Sequence, residues 1–319
     1  MLQPPDHRNP LLAVVGPTAV GKSALAADLA ARLGGEVVNA DSRQVYRGME
    51  IGTAAPSTQE RALAPHHLYG IVGPDHGYSL DRFLSSATEV IAEVHGRGRL
   101  PILVGGTGQY IWALLDGWRP PHVAPDETLR RSLHSLAQRD GPEALHRQLA
   151  AVDPEAAAGM DPRNVRRTVR ALEVFQATGI PFSQAARRDP PPYRAIVIGL
   201  TTGTRPQLHD RIAARVEAML AAGWLDEVRG LLDRGFSPDL PAMTSMGYLH
   251  LAQHLEGEIT LDEAARRVRV DHQRLARRQY AWFKPGDPRI SWILVGEGVA
   301  AEAEAVARGL VGGEGRTRC

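Results

Sequence analysis

The feature that most limits what this chain can fold into is a glycine-rich run near its start, Gly16-Pro17-Thr18-Ala19-Val20-Gly21-Lys22-Ser23. It matches the pattern G-x-x-x-x-G-K-[ST], a loop whose backbone N–H groups face a phosphate together with the N-terminus of the next helix. Residues 11–15 form an apolar segment typical of a strand, and residues 24–33 are rich in alanine and leucine, as in a helix. This order predicts a phosphate site in which the Lys22 ammonium neutralises charge and the Ser23 hydroxyl holds a Mg²⁺ ion.

The choice of basic residues supports that role for Lys22. Only Lys22 and Lys284 are lysines among the 37 basic residues, so the chain uses arginine almost everywhere else. A compact, flexible ammonium fits a phosphate loop where the planar guanidinium would not.

Length and composition exclude several classes of protein. The 319 residues, 43% apolar and 23% charged, are typical of a globular protein and indicate two domains. Because the net charge is only +1, attraction to nucleic acid must come from local patches. The single cysteine, Cys319, excludes an intrachain disulfide and a cysteine-based zinc module. No apolar run approaches the length of about 18 residues that a membrane helix needs, and the polar N-terminus lacks a signal-peptide core, so we expect a cytoplasmic protein with no membrane segment.

Strands and helices alternate in the first and last parts of the sequence. We predict strands at 11–15, 36–40, 67–72, 101–104, 195–200 and 290–295, and helices at 24–33, 79–95, 207–222, 226–232 and 261–283. Residues 126–188 contain helical segments at 126–139, 143–151 and 165–178 and no strand pattern. The sequence therefore predicts an α/β fold with a parallel sheet, a ligand site at the carboxyl ends of its strands, and an inserted all-helical domain.

The same pattern predicts the domain boundaries. They are a disordered lead-in at 1–10, the first part of a P-loop core at 11–118, the helical insertion at 119–194, the completion of the core with C-terminal helices at 195–311, and a disordered tail at 312–319.

Two residues at strand ends are candidates for chemistry beside the phosphate. An NTPase usually has an Asp after a later apolar strand, but here strand 101–104 runs into Gly105-Gly106-Thr107-Gly108. Asp41 instead follows the second strand, where its carboxylate could accept a proton from an acceptor's nucleophile. Asp41 could also be an N-cap or a loop anchor. Thr107 could contact the phosphates or be only a turn residue.

Two arginine-rich segments suggest an RNA partner. One lies at 163–188 and includes Arg166, Arg167 and Arg170; the other lies at 266–289 and includes Arg277 and Arg278. Either could be an RNA-binding surface or an ordinary solvated helix face. The second segment also contains Tyr280, Trp282 and Phe283, which could stack on bases or pack in the core.

Seven ordered motifs resemble those of the tRNA dimethylallyltransferases, over about residues 11 to 295. They are the glycine-rich run at 16–23, residues 41–54 (DSRQVYRGMEIGTA), 65–68 (PHHL), 105–110 (GGTGQY), 167–174 (RTVRALEV), 246–248 (MGY), and 276–279 (ARRQ) followed by Trp282-Phe283. The resemblance implies a P-loop kinase-like core, with a helical insertion that clasps the anticodon arm of tRNA.

The resemblance also implies a reaction: transfer of a dimethylallyl group from its diphosphate to N6 of the adenosine just 3′ of the anticodon. The phosphate loop would then hold the diphosphate leaving group. By similarity, Asp41 is the general base, while Thr107 and Arg211 steady the bridging and terminal oxygens. Lys22, Ser23 and a Mg²⁺ ion would absorb the charge that develops as the carbon–oxygen bond breaks.

A further set of residues falls where the family meets tRNA. It comprises Asp41, Ser42, Arg43, Gln44, Thr107, Arg130, Arg166, Arg167, Arg170, Met246, Gly247, Tyr248, Arg277, Arg278 and Gln279. Ser42 and Gln44 would line the channel for an extruded adenosine, whereas we expect His66 and His67 to be structural. The chain departs from the family pattern at His272-Gln273, Arg277, Leu249 and Ala281. It lacks the zinc module of some eukaryotic relatives, as expected of a bacterial-type, monomeric enzyme.

Other functions stay open at this point. They are prenyl transfer to free adenine nucleotides, phosphoryl transfer by a small-molecule P-loop kinase, and RNA binding without catalysis. An affinity for ATP also stays open, because the loop recognises phosphates and not the base.

Overall fold

The computed structural model describes residues 8–244 and 247–311, which form two compact units. The core unit comprises the described residues up to Leu115 and from Pro191 onward, and the inserted unit is Asp116–Pro190. The lead-in and tail expected at the chain ends lie largely outside the described residues.

The elements follow one another in this order. The strands are β1 Asn9–Val15, β2 Gly35–Asn39, β3 His66–His67, β4 Leu100–Val104, β5 Trp118–Arg119, β6 Arg187–Arg188, β7 Tyr193–Thr201 and β8 Ile290–Leu294. The helices are α1 Lys22–Leu33, α2 Thr58–Leu63, α3 Leu80–Gly96, α4 Gly108–Leu115, α5 Glu127–Asp140, α6 Pro142–Val152, α7 Pro154–Ala158, α8 Val165–Thr178, α9 Phe182–Ala185, α10 Arg205–Ala221, α11 Trp224–Asp233, α12 Tyr248–Leu255, α13 Leu261–Trp282 and α14 Val299–Val311.

The core unit is built on a six-stranded sheet in the order β3-β2-β4-β1-β7-β8, and every adjacent pair is parallel. Helices cover both faces of the sheet at β1. Successive side chains of the strand point to opposite sides, so they pack alternately with the helices of one face and of the other. Leu12 and Val14 pack with α1 and α14, whereas Leu11, Ala13 and Val15 pack with α3 and α4. The sheet confirms the α/β class with a parallel sheet.

A third apolar cluster in the core unit joins the loop after β2 to four helices. Val45, Tyr46 and Met49 from that loop pack with side chains of α10, α11, α12 and α13. The cluster fixes the position of α13, whose carboxyl-terminal half lines the candidate site described below.

The inserted unit has its own apolar core, formed by side chains of α5, α6, α7 and α8. A buried carboxylate, Glu173, lies at one side of this core with only 1% of its side chain exposed. It accepts hydrogen bonds from Arg130 and Arg170 and from the backbone N–H of Asp126. Although burial alone would raise the pKa of Glu173, the two guanidinium groups lower it.

The structure corrects three local expectations. The strand expected at 67–72 is only the two-residue β3, because the backbone turns at Leu68, which has a positive φ of 65°. The inserted unit is not all-helical, since β5 and β6 form an antiparallel pair within it. β1 begins at Asn9, inside the expected lead-in. Pro10 is tolerated there because this end of β1 pairs only with β7, and pairing with β4 starts at Leu12.

No helix in the described part of the chain is both long enough and apolar enough to span a bilayer.

Candidate active site

Three loops meet at the carboxyl edge of the sheet, after β1, β2 and β4. Because the strands are parallel, the loops emerge on one side and enclose a cavity of about 760 Å³ within the core unit. Residues from the loops, from residues 53–60, from α10 and from α13 line it. They include Thr18, Gly21, Lys22, Ser23, Asp41, Ser42, Arg43, Gln44, Glu60, Gly106, Thr107, Gly108, Arg215, Asp271, Leu275, Arg278, Gln279 and Trp282.

The phosphate loop divides into residues that face the cavity and residues that support them. Thr18, Gly21, Lys22 and Ser23 line the cavity. The other four residues of the motif, Gly16, Pro17, Ala19 and Val20, are buried. The loop is tied at both sides, since Thr18 N donates to Gln279 Oε1 at 2.7 Å and Arg211 Nε donates to Ala19 O at 2.9 Å.

Lys22 is folded onto its own loop, where its Nζ donates to Pro17 O at 2.7 Å. Desolvation and then the nearby Arg215 charge lower the pKa of Lys22 to about 7, while Asp41 opposes the shift. An incoming anion would favour the charged ammonium and reverse this shift.

Asp41 follows β2 and lines the same cavity as the phosphate loop. Its backbone is held by Asn39, whose Oδ1 accepts from Asp41 N at 2.8 Å. Oδ1 of Asp41 accepts from Arg43 N at 2.9 Å, which is a loop-anchoring contact. Oδ2 of Asp41 lies near Gly106: a Cβ atom built on that glycine would be 3.4 Å from this oxygen. Oδ2 accepts no hydrogen bond from the described residues. One oxygen therefore anchors the loop while the other is available as a base.

Thr107 joins the loop after β4 to the loop after β2. Its Oγ1 accepts from Ser42 N at 3.0 Å and donates to Ser42 Oγ at 3.2 Å. Gln44 in turn donates from Nε2 to the carbonyls of Thr53 and Ala54. Arg43 Nη1 donates to Pro241 O at 3.0 Å. The structure therefore brings Lys22, Asp41 and Thr107 together around one cavity.

Gln279 links two loops through its side-chain amide, although the sequence resemblance implied that it contacts tRNA. It is 4% exposed, accepts from Thr18 N, and donates from Nε2 to Gly106 O at 3.2 Å. Its amide thus connects the phosphate loop to the loop after β4, and both of its ends are already used within the protein.

Gly247 and Tyr248 also lie in the core, which differs from the contact with tRNA expected of them. Tyr248 is fully buried, and its Oη donates to Glu227 Oε1 at 2.7 Å. Gly247 has a φ of +96°, and a Cβ there would lie 2.7 Å from Trp224. Packing therefore accounts for both residues. Met246, the third expected residue of this motif, lies outside the described residues.

Arg215 is a site residue that the sequence reasoning missed. It lies one turn beyond Arg211 on α10 and lines the cavity, whereas Arg211 is exposed and supports the loop through Ala19. Arg215 Nε is buried and has no hydrogen-bond partner among the described residues. Burial lowers the pKa of Arg215, and Asp41 and Glu60 oppose that shift. The sequence did contain a signal for Arg215: it is four residues after Arg211, and residues at this spacing lie on the same face of a helix.

Apart from Arg43, which donates to Pro241 O, the expected tRNA-binding arginines fall into two groups. Arg166, Arg167, Arg277 and Arg278 are exposed, and they form no ion pair within residues 8–244 and 247–311. Arg130 and Arg170 instead pair with the buried Glu173 of the inserted unit. The second group has a structural role that its position in the sequence did not reveal.

A Mg²⁺ ion fits this site if the substrate supplies most of its ligands. Within the described residues no three His, Cys, Asp or Glu side chains converge on a possible metal position. The Ser23 hydroxyl lines the cavity and forms no hydrogen bond in the described part of the chain. Mg²⁺ commonly takes one or two protein oxygens together with substrate phosphates and water, and this donor set suits that arrangement.

The parallel sheet and the glycine-rich loop after β1 define an α/β protein of the P-loop class. A sequence model described as IPP transferase matches residues 44–286, and one described as isopentenyl transferase matches residues 9–64. The chain belongs to the tRNA dimethylallyltransferase family.

Individual relatives agree with this assignment. The tRNA dimethylallyltransferase of Roseiflexus sp. (strain RS-1) is 54% identical over 275 residues, which is 86% of this chain and 90% of that protein. The Chloroflexus aurantiacus protein of the same name (strain J-10-fl) is 52% identical over 274 residues, covering 86% of this chain and 92% of its own.

Solved structures agree as well. The tRNA isopentenylpyrophosphate transferase from Bacillus halodurans superposes with a TM-score of 0.70 at 38% identity, covering 96% of this chain and 98% of that one. A eukaryotic dimethylallyltransferase acting on tRNA superposes with a TM-score of 0.76 at 26% identity. The match covers 95% of this chain and 78% of that one.

Proposed function

We propose that this chain transfers a dimethylallyl group from dimethylallyl diphosphate to N6 of the adenosine adjacent to the anticodon of tRNA, releasing diphosphate. The observation that carries the proposal is the shared cavity, which is lined both by the phosphate loop with Lys22 and by Asp41. A leaving diphosphate and an attacking amine need these two groups on opposite sides of one reacting carbon.

Asp41 is the general base of the proposed reaction. As N6 attacks the first carbon of the dimethylallyl group, a carbon–nitrogen bond forms and the carbon–oxygen bond to the diphosphate breaks. The electron pair of the broken bond stays on the diphosphate oxygen, and the N6 proton passes to Asp41 Oδ2. Because Oδ1 stays bonded to Arg43 N, the carboxylate keeps its orientation while it accepts the proton.

The leaving group is stabilised by fixed positive charge at the phosphate loop. Backbone N–H groups of the loop, the Lys22 ammonium and the Arg215 guanidinium line the cavity where negative charge develops. Arg211 supports them by holding Ala19 O. A Mg²⁺ ion held by Ser23 and the diphosphate would add Lewis-acid stabilisation of the same charge.

The tRNA binds through its anticodon stem-loop, with the exposed Arg166, Arg167, Arg277 and Arg278 contacting its phosphates. The acceptor base must leave the loop stack to reach Asp41 inside the cavity. We expect one protein monomer per tRNA and action in the cytoplasm, where its substrate is found.

Incubation with radiolabelled dimethylallyl diphosphate tests the proposal. The acceptors are unmodified tRNA, the same tRNA with guanosine in place of the acceptor adenosine, and AMP. We expect label only in the unmodified tRNA. Label in AMP and none in tRNA would assign the chain to nucleotide prenylation. In a parallel incubation with labelled ATP, transfer of labelled phosphate would assign it to a kinase class.

A further inference from the structure

The three aromatic residues at the end of α13 have different surroundings. Phe283 is fully buried, and the Tyr280 hydroxyl is hydrogen-bonded to Thr201 Oγ1 at 2.7 Å. Trp282, in contrast, is 49% exposed and lines the cavity. It is the one aromatic side chain among the large apolar residues that are exposed in the described part of the chain. Packing therefore explains Tyr280 and Phe283 but leaves half of the Trp282 surface without a protein partner.

Trp282 is packed against the protein on one side despite this exposure. Its carbonyl accepts a hydrogen bond from Trp112 Nε1 at 3.1 Å. Its Cβ and Cγ lie against Gly108, where an added Cβ would be only 2.3 and 2.4 Å away. Glycine at this position lets the indole approach the first residue of α4. A ring that is already packed on one side loses less conformational entropy than a free one when a flat ligand covers its exposed part.

The position of the indole suits a base that reaches Asp41. Gly106 adjoins Asp41 Oδ2, and Gly108 adjoins Trp282 on the same short loop. The two glycines are two residues apart, so their Cα atoms are within about 7 Å. Arg278 lies one turn before Trp282 on α13 and lines the same cavity, so a cation stands beside the aromatic surface.

We propose that the Trp282 indole is the stacking surface for the purine base of the acceptor adenosine. The base lies against the indole while its N6 edge is directed toward Asp41. This inference rests on the proposed function, and it adds a positioning residue that selects a planar base by its π-face.

Three substitutions of Trp282 separate stacking from simple packing. Trp282→Ala and Trp282→Leu should each lower kcat/KM for tRNA by about ten- to a hundredfold, because stacking of one base is lost. Trp282→Phe keeps an aromatic face and should recover most of that loss. The dependence of tRNA affinity on salt should be unchanged in all three, since no charge is removed. Leu294→Ala, which alters an exposed apolar residue on β8 away from the cavity, is the matched control.

A fluorescent base identifies the stacked nucleotide. An RNA stem-loop carries 2-aminopurine at the acceptor position or at either neighbour, and fluorescence is measured on binding. We expect quenching at the acceptor position that Trp282→Phe keeps and Trp282→Ala loses. Loss confined to a neighbouring position, or equal quenching by all variants, would overturn the proposal. Failure of the unaltered protein to modify the same stem-loop with adenosine at the acceptor position would instead refute the proposed function itself.

Discussion

The edge of the sheet and the arginine-bearing helices hold their polar side chains by different means. At the sheet edge, Asp41 is fixed by a hydrogen bond within its own loop and Thr107 by one to the loop after β2, and the buried α13 residue Gln279 is fixed by one to the phosphate loop. On α8 and α13, Arg167 and Arg278 are exposed and carry no ion pair in the part of the chain that the structure describes. Fixed groups can stabilise a transition state without reorganisation, whereas exposed cations contribute mainly salt-dependent affinity.

This difference sets the kind of effect that a substitution should have. Changes at the sheet edge should reduce the rate of the chemical step, and changes at exposed arginines should reduce affinity for RNA. The arginines bound to Glu173 form a third case, because they should affect the stability of the inserted unit.

The largest effect is expected at Asp41. Asp41→Asn keeps an oxygen that can accept from Arg43 N but removes the base, so kcat should fall by about 10²–10⁴-fold with tRNA affinity nearly unchanged. Single-turnover rates with saturating tRNA measure the chemical step directly. An unchanged rate would show that Asp41 acts as a loop anchor only, because asparagine keeps the contact with Arg43 N.

The next largest effect concerns Glu173 in the inserted unit. Glu173→Gln leaves two half-buried guanidinium groups without their carboxylate, and we expect about 3–5 kcal/mol of destabilisation. Hydrogen exchange of α8 peptides measures it locally. Glu127→Gln is the control, because that carboxylate also pairs with Arg130 but is 74% exposed. Equal protection in both variants would contradict a structural role for this ion cluster.

The same cluster has a defined pH dependence. Since the folded-state pKa of Glu173 is lowered, its contribution to stability is present above the ordinary glutamate value of 4.5 and is lost as the pH falls through the lower, folded value. Glu173→Gln should therefore lose protection at neutral pH and respond less than the unaltered chain to acidification.

The third effect is a pH dependence of donor binding, which distinguishes Lys22 at the sheet edge from the arginines elsewhere. Lys22, with a pKa of about 7, is largely neutral at pH 8, and a bound diphosphate should raise that pKa. Binding should then take up a proton, and affinity should fall as the pH rises above 7, by at most about tenfold per pH unit. Arginine contributes no such dependence, because it stays charged.

Calorimetry at pH 8 measures this proton uptake, with the diphosphate donor titrated in two buffers of different ionisation enthalpy. Lys22→Met is the control that keeps the donor's own ionisation and removes only the lysine. If both proteins take up the same number of protons, Lys22 is already charged before the donor binds.

The sequence predicted the parts of this protein that depend on local pattern. The strand before Gly16, the helix after it and the parallel sheet followed from periodicity and from the glycine-rich run. The roles of Tyr248 and Gln279 did not, because a motif does not show which of its side chains face the core. Arg170 lay in a basic segment like Arg167, and only the fold shows that Glu173 is buried beside it. Arg215 was missed because its site forms through contacts distant in sequence.

The smallest effect tests the arginines of α13 one at a time. Arg278→Gln removes an exposed cation at the cavity, whereas Arg274→Gln removes one that pairs with Asp271 at 3.2 Å. If Arg278 contacts one RNA phosphate, its loss should reduce the slope of log affinity against log salt by about 0.7–0.9, and the Arg274 variant should change the slope less. Filter binding at several salt concentrations measures both slopes. Since both arginines are exposed, equal slopes in both variants would mean that ion pairing does not distinguish the RNA-binding arginines. The cations that meet tRNA would then have to be sought elsewhere on the surface, because a free guanidinium next to the cavity would have proved insufficient.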